Sequence, residues 1–283
     1  MTKKNKFALI TGATSGIGLE TVKNLLSKGY TVIGTSRSDE KEQSAGAYLK
    51  RKITFIRTDL SSQRSIRSLA QKVKTIVGEN GLDVLINNAG TFFSYYALSE
   101  EGIEMQFAVN TAAPFYLSLL LYNEIKSTNG RIVNVSSNSH YHTNVKWSDI
   151  QLSKHYGQLR AYKQTKLLSV MLSREFNKRS QDIKTYMADP GLVNTEIGFK
   201  NTGGLAEFIW KFRKNKGEPV SVGASTPTFL ATEPALEDYL YWKYNKPKTP
   251  NKLALDDIAC QKIWHYCQGV CNIDADAVLG ARE

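Results

Sequence analysis

Tyr162 and Lys166 stand four residues apart, and on a helix that spacing brings two side chains to one face, about 5–6 Å apart at Cβ. A lysine so placed stabilises a tyrosinate. An ordinary tyrosine titrates near 10, so one that exchanges a proton near neutrality needs its pKa lowered by about two or three units, or about 3–4 kcal/mol. The spacing alone selects nothing, because Tyr48, Tyr122, Tyr239 and Tyr244 also precede a lysine by four residues. Context selects Tyr162, which opens a helical run (Leu167, Leu168, Val170, Met171, Leu172) between two strand-like segments. The first, 130–137, closes in Ser136 and Ser137, and ligands bind at the C-terminal edge of an open parallel sheet.

The second stretch with chemical meaning is Thr11-Gly12-Ala13-Thr14-Ser15-Gly16-Ile17-Gly18. Before it lies an apolar strand, 7–10; after it, Leu19, Val22, Leu25 and Leu26 recur at helical spacing. In a strand-turn-helix unit, Gly12 allows the tight turn, Gly16 lets a pyrophosphate approach the backbone, and Gly18 lets the helix pack closely. The free N–H groups of the helix start then face the anion. A bare tight turn without a ligand is the alternative at this point. Gly29 ends the helix and 30–36 reads as a second strand, completing a right-handed βαβ unit. Chains that select NAD place an acidic residue near this strand end to bond the ribose hydroxyl; this one has Ser36 and Arg37, and Asp39 and Glu40 come too late. At ~4 Å and an effective dielectric near 20 a carboxylate repels a 2′-phosphate by a few kcal/mol and a guanidinium attracts it by as much, which favours NADP(H) over NAD(H).

The glycine turn resembles the Thr-Gly-x-x-x-Gly-Ile-Gly signature of the short-chain dehydrogenase/reductase family, and Asn87-Asn88-Ala89-Gly90, closing a strand that begins at Asp83, resembles its second signature. The resemblance runs from Lys6 to Asp274 and implies a Rossmann-like fold and hydride exchange between a nicotinamide and a carbonyl or alcohol. It implies that Tyr162 moves the proton, that Lys166 lowers its pKa and bonds the nicotinamide ribose, and that Ser137, with Ser136 as fallback, holds the substrate oxygen. Asn110 matches a buried asparagine on a distorted helix whose carbonyl holds a water; a satisfied core asparagine is the alternative. Asp59 and Leu60 match the pair beside the adenine, although Asp59 also suits the start of the next helix. Asn88, Ala89 and Gly90 would lie against a ribose, Asn87 would tie strands together, and Pro190, Gly191, Val193 and Thr195 would meet the carboxamide. A long segment before the tyrosine, 138–159, rich in His140, Tyr141, His142, Trp147 and His155, resembles the retinol-dehydrogenase-like branch and would rim the substrate pocket. Asp189 departs from that branch, which usually has histidine there.

The elements that hold these residues fit one α/β domain over 1–283: a doubly wound parallel sheet flanked by helices. With 283 residues and 41% hydrophobic side chains, the chain can build such a core. Helices are expected over 62–77, 104–122, 162–176, 221–231 and 255–271, a last strand over 238–242, and a loop over 246–250. A substrate lid is expected at about 196–220, with weak peripheral membrane association through 205–216 as the alternative for its basic, apolar helix. The apolar runs are strand-sized, so no membrane span is expected, and the N-terminus reads as mature and cytoplasmic. Net charge is +11, but lysine and arginine are spread along the chain, which argues against nucleic acid as a partner. Cys260, Cys267 and Cys271 share one helical face and read as buried reduced thiols. Neither they, with His265, nor His140 and His142 are expected to bind a metal. The expected partner is a small carbonyl or alcohol compound, retinoid-, steroid- or aryl-ketone-like. A homodimer or homotetramer through the 104–122 and 162–176 helices is the family's habit, and a non-catalytic dinucleotide sensor is the alternative function.

Overall fold

The computed structural model describes residues 5–50, 52–193 and 217–280. Thr195 and nearly all of the expected lid lie outside them. The chain alternates β1 (Lys6–Ile10), α1 (Gly16–Ser27), β2 (Tyr30–Ser36), α2 (Asp39–Tyr48), β3 (Ile53–Arg57), α3 (Gln63–Val77) and β4 (Val84–Asn87). Then come α4 (Met105–Phe107), a π-turn (Ala108–Ala112), α5 (Ala113–Leu120), α6 (Tyr122–Lys126), β5 (Arg131–Val135), α7 (Gln158–Arg179) and β6 (Lys184–Asp189). The chain ends in α8 (Val220–Thr232), β7 (Tyr241–Lys243), β8 (Lys246–Lys248), α9 (Asp257–Cys271) and α10 (Ala275–Leu279).

The strands form one sheet in the order β3-β2-β1-β4-β5-β6-β7-β8, parallel except for the final β7–β8 pair. Alternation along each strand separates two cores. Phe7 and Leu9 join Leu85, Ile132 and Met187 on the side of α3, α5, α7 and α9, whereas Ala8 and Ile10 join Val84, Ile86 and Val133 on the side of α1 and α8. The order of the strands reverses between β1 and β4, and the crevice above such a reversal is where ligands settle. No helix of the described residues is long and apolar enough to cross a membrane.

Several elements differ from the sequence reading. Helix α2 was not anticipated because only Ala45 of it is buried, so it has no apolar stripe; Ser38 at its N-cap and three acidic residues in its first turn favour it instead. The segment expected to be a loop forms β8, joined to β7 by Tyr244 and Asn245, both at positive φ (51° and 57°), as a two-residue hairpin turn requires. Proline is tolerated in this edge position. The helix expected over 104–122 is broken by the π-turn, and its last part restarts as α6.

The faces on which another copy was expected to pack are covered. Trp264 of α9 meets Phe115 of α5 at 5.1 Å and Phe176 of α7 at 6.4 Å between ring centroids, and Tyr266 meets Phe107 at 5.7 Å. Arg179 of α7 bonds Asp276 of α10 at 2.7 Å while lying 5.2 Å from the Trp264 ring. The three cysteines lie on the buried face of α9, as expected. Burial pushes Cys260 up to about 11 and Cys271 up to about 12, so both stay as thiols.

Candidate active site

Tyr162 and Lys166 lie on the first turns of α7, Ser137 follows β5, and Asn110 sits in the π-turn. The Lys166 ammonium is 5.8 Å from the Tyr162 ring centroid and donates to the Val135 carbonyl at 3.0 Å. Val135 is the last residue of β5, so this bond pins the lysine to the strand end, two residues before Ser137. Lys166 is only 5% exposed, and burial pushes it down to about 8 while the Asp189 carboxylate pushes it back up. Phe92, after β4, packs edge-on against Tyr162 at 5.8 Å.

The two serines differ. Ser136 is buried, and its amide continues the sheet by donating to the Ala188 carbonyl at 2.8 Å. Ser137 is half-buried beyond the sheet, where its carbonyl accepts from the His140 amide. That favours Ser137 over its neighbour as the residue open to the crevice.

Asn110 fastens the site together. Its side-chain oxygen accepts from the Thr91 amide at 2.8 Å, and its amide nitrogen donates to the Thr91 carbonyl at 3.0 Å and the Thr165 hydroxyl at 3.3 Å. Thr165 in turn donates to the Tyr162 carbonyl. The helix is distorted at Asn110, as expected, but its backbone carbonyl accepts the Ser169 hydroxyl at 2.8 Å, which takes one of the two lone pairs expected to hold a water.

At the glycine turn, Gly12 and Gly16 have φ of +67° and +54°, a region that costs most residues energy. A Cβ on Gly18 would run into the Gly12 carbonyl oxygen and would lie 2.5 Å from the Asn88 amide. The close packing of Gly18 is thus against the turn itself, more than against the sheet. Asn88 donates to the Thr11 and Gly12 carbonyls at 2.9 and 3.1 Å, and the Thr11 hydroxyl accepts from the Asn88 and Ala89 amides. These bonds lock the turn to the end of β4, beside Gly90. Thr14, Ser15 and Ile17 are partly or fully exposed around the start of α1. Ser15 caps that helix without a side-chain hydrogen bond, and no acid stands in its first turn, so the helix offers its opening N–H groups no anion of its own. Asn87 bonds Asn134 at 2.8 Å, tying β4 to β5.

Arg37 is exposed just past β2. Asp39 is drawn to an ion pair with Arg57 on β3, which leaves the guanidinium of Arg37 at the strand end. The Asp59 carboxylate accepts from the Ser61 amide and hydroxyl at 2.9 and 2.7 Å, so it shapes the turn before α3, whose N-cap is Ser62; Leu60 is buried. On the far side Pro190 is buried, Gly191 has φ +78°, and Val193 bridges to Glu218.

In the segment expected to rim the pocket, His140 is a core residue. His140 is wholly buried between the rings of Tyr141 and Tyr241. Its Nε2 accepts from the Asn251 amide at 3.3 Å, so the proton sits on Nδ1, which donates to the Ser137 carbonyl at 2.9 Å. Burial lowers its pKa. The Gln164 side chain ties Lys146 and Ile150 to α7. Trp147 and Ile150 instead border a cavity of about 670 Å³ with Tyr96, Gln151, Lys262 and Tyr266, and none of the tyrosine–lysine cluster lines it.

Sequence reasoning missed Phe92, Thr91, Thr165 and Ser169, and gave Asp189 no role. In the fold Asp189 is fully buried and accepts from the Gly191 amide at 2.9 Å and the Tyr241 hydroxyl at 2.7 Å. Its only signal in the sequence was its departure from the branch's usual histidine.

A doubly wound sheet with a glycine turn at its reversal, and a tyrosine–lysine pair beside a serine at the next strand end, defines a class of α/β oxidoreductase. The chain belongs to the short chain dehydrogenase family, whose model matches residues 6–203. It is 33% identical to the short-chain dehydrogenase TIC 32 A, chloroplastic, of Brassica napus, over 93% of this chain and 88% of that protein. It is 31% identical to human retinol dehydrogenase 13, over 96% of this chain and 86% of that one. A crystal structure from Mycobacterium Paratuberculosis, 26% identical, superposes with a TM-score of 0.77 over 95% of this chain and 94% of its own.

Proposed function

We propose that this protein is an NADP-dependent oxidoreductase that interconverts a carbonyl and an alcohol on an apolar substrate of retinoid, steroid or aryl-ketone type. The observation that carries the reading is the buried Lys166 beside Tyr162 at the end of β5, next to the locked glycine turn. The turn fits a dinucleotide: its glycines hold conformations and spacings that side chains would block, and α1 offers its opening N–H groups no anion of its own.

Gly12, Thr14, Ser15, Gly16, Ile17 and Gly18 would hold the pyrophosphate. Arg37 would pair with the 2′-phosphate, Asp59 and Leu60 would flank the adenine, and Asn88, Ala89 and Gly90 would lie along a ribose. Pro190, Gly191, Val193 and Thr195 would orient the nicotinamide, which when bound supplies or takes the hydride. In reduction the Tyr162 hydroxyl gives its proton to the substrate oxygen, and in oxidation its oxygen takes that proton back. The Ser137 hydroxyl holds the same oxygen, and the Lys166 ammonium stabilises the tyrosinate and reaches a ribose hydroxyl. Asn110 keeps α7 and the Thr91 segment in register, and its carbonyl can anchor a water that returns protons to solvent. Apolar substrates are supported by the retinol dehydrogenases among the relatives.

The test is a panel of ketones, aldehydes and alcohols followed at the NADPH absorbance band, with NADH in parallel. Tyr162→Phe should bind NADPH as the parent does while turnover falls by about 10²–10⁴-fold. Turnover within tenfold of the parent would refute the assignment.

A further inference from the structure

We propose that Asp189 is a positioning residue that keeps Lys166 charged, acting through its carboxylate on the buried ammonium without touching substrate or cofactor. The inference rests on the reading above, in which Lys166 serves Tyr162.

The geometry begins at two adjacent strand ends. Val135 and Ala188 are partners in the β5–β6 register, and the Ser136 amide bonds the Ala188 carbonyl. The Lys166 ammonium lies on the Val135 carbonyl, so Asp189, the next residue of β6, ends its strand beside that group. Both side chains are buried, at 5% and 0% exposure. A buried ammonium is costly unless an opposite charge or hydrogen bonds compensate it.

Two donors hold the Asp189 side chain in place: one oxygen accepts from the Gly191 amide and the other from the Tyr241 hydroxyl. Two other charged groups stand near it among the described residues: Lys243, its register partner on β7, whose ammonium lies 5.2 Å from the Tyr244 ring centroid, and Glu218. On the turn after β5, His140 is held neutral and the Tyr141 phenol is pushed up. On β7 and its hairpin, the phenols of Tyr241 and Tyr244 are pushed up as well. Glu218, across from Gly191, acts on Tyr244. On α7, Tyr162 is the group that Lys166 serves. Against a burial that drives Lys166 down to about 8, Asp189 is the group that pushes back.

The sign follows. Removing a carboxylate that raises an ammonium's pKa lets the proton leave at lower pH, so the alkaline limb of activity must move down. Asp189→Asn keeps an acceptor for Gly191 and a polar partner for Tyr241 but drops the charge. Tyr241→Phe keeps the charge and drops one donor. In kcat-against-pH profiles of the full chain, Asp189→Asn should lower the alkaline limb by roughly one pH unit, and Tyr241→Phe should leave it in place. An unmoved limb in Asp189→Asn, or an equal shift in both variants, would overturn the proposal.

A second measurement needs no turnover. In urea unfolding at pH 7, Asp189→Asn should lower the midpoint in the parent chain and lower it far less in Lys166→Met. Equal losses in the two backgrounds would overturn the pairing. If Asp189→Asn folds only when Lys166→Met accompanies it, that supports the pairing. Coupling in urea with no turnover on any carbonyl would sink the enzymatic reading and leave the charge pair standing.

Discussion

In the proposed function Arg37, one side chain at the end of β2, decides between two cofactors. Exposed charge pairs are weak, at about 0–1 kcal/mol, but a guanidinium that donates directly to phosphate oxygens contributes about 1.5–3 kcal/mol. Arg37→Ala should therefore reduce the ratio of kcat/KM for NADPH over NADH by about tenfold, since 1.4 kcal/mol is a factor of ten. Steady-state kinetics with both cofactors checks this, and an unchanged ratio would place the phosphate elsewhere. Arg37, the glycines and the Tyr162–Lys166 pair were legible because each depends on neighbours within one turn or one helix. Phe92 against Tyr162, Asn110 on Thr165 and Tyr241 on Asp189 were not. The last two join residues 55 and 52 positions apart, and only the folded sheet brings them together.

Elements were legible where burial imposes a period. The strands and α1, α3 and α7 follow their apolar spacing, and the family signatures fixed their order. Helix α2 was not legible, because its stability comes from capping and first-turn acids, and the distortion within 104–122 was legible only through the resemblance at Asn110, because composition does not reveal a π-turn. Asn110 lies in that turn, and its side chain spans Thr91 and Thr165. The C-terminal helices carry a different load. Trp264 of α9 is wholly buried, packs on α5 and α7, and donates to Asp276 at 3.2 Å. Trp264→Ala should cost about 3–5 kcal/mol and lower the melting temperature by roughly ten degrees. Calorimetry would reveal this, and a loss under about 1 kcal/mol would mean that α9 is loosely docked.

For the whole molecule, the strand order places the glycine turn, the Ser137 edge and α7 around one crevice, so the proposed site draws on residues spread from 12 to 193. The family's usual helical interface is occupied from within by α9 and α10, so we expect a monomer of 31.7 kDa. Light scattering after gel filtration tests this, and a dimer would have to use another surface. Among the described residues the sheet stops at β8, a three-residue Lys246-Pro247-Lys248 strand. Strand edges recruit other strands through unpaired amides, and here proline withholds one while two lysines surround the rest with charge. A crowded solution of this protein should accordingly resist fibrillar growth from that margin, because an incoming strand would find neither a complete ladder nor a neutral border to join.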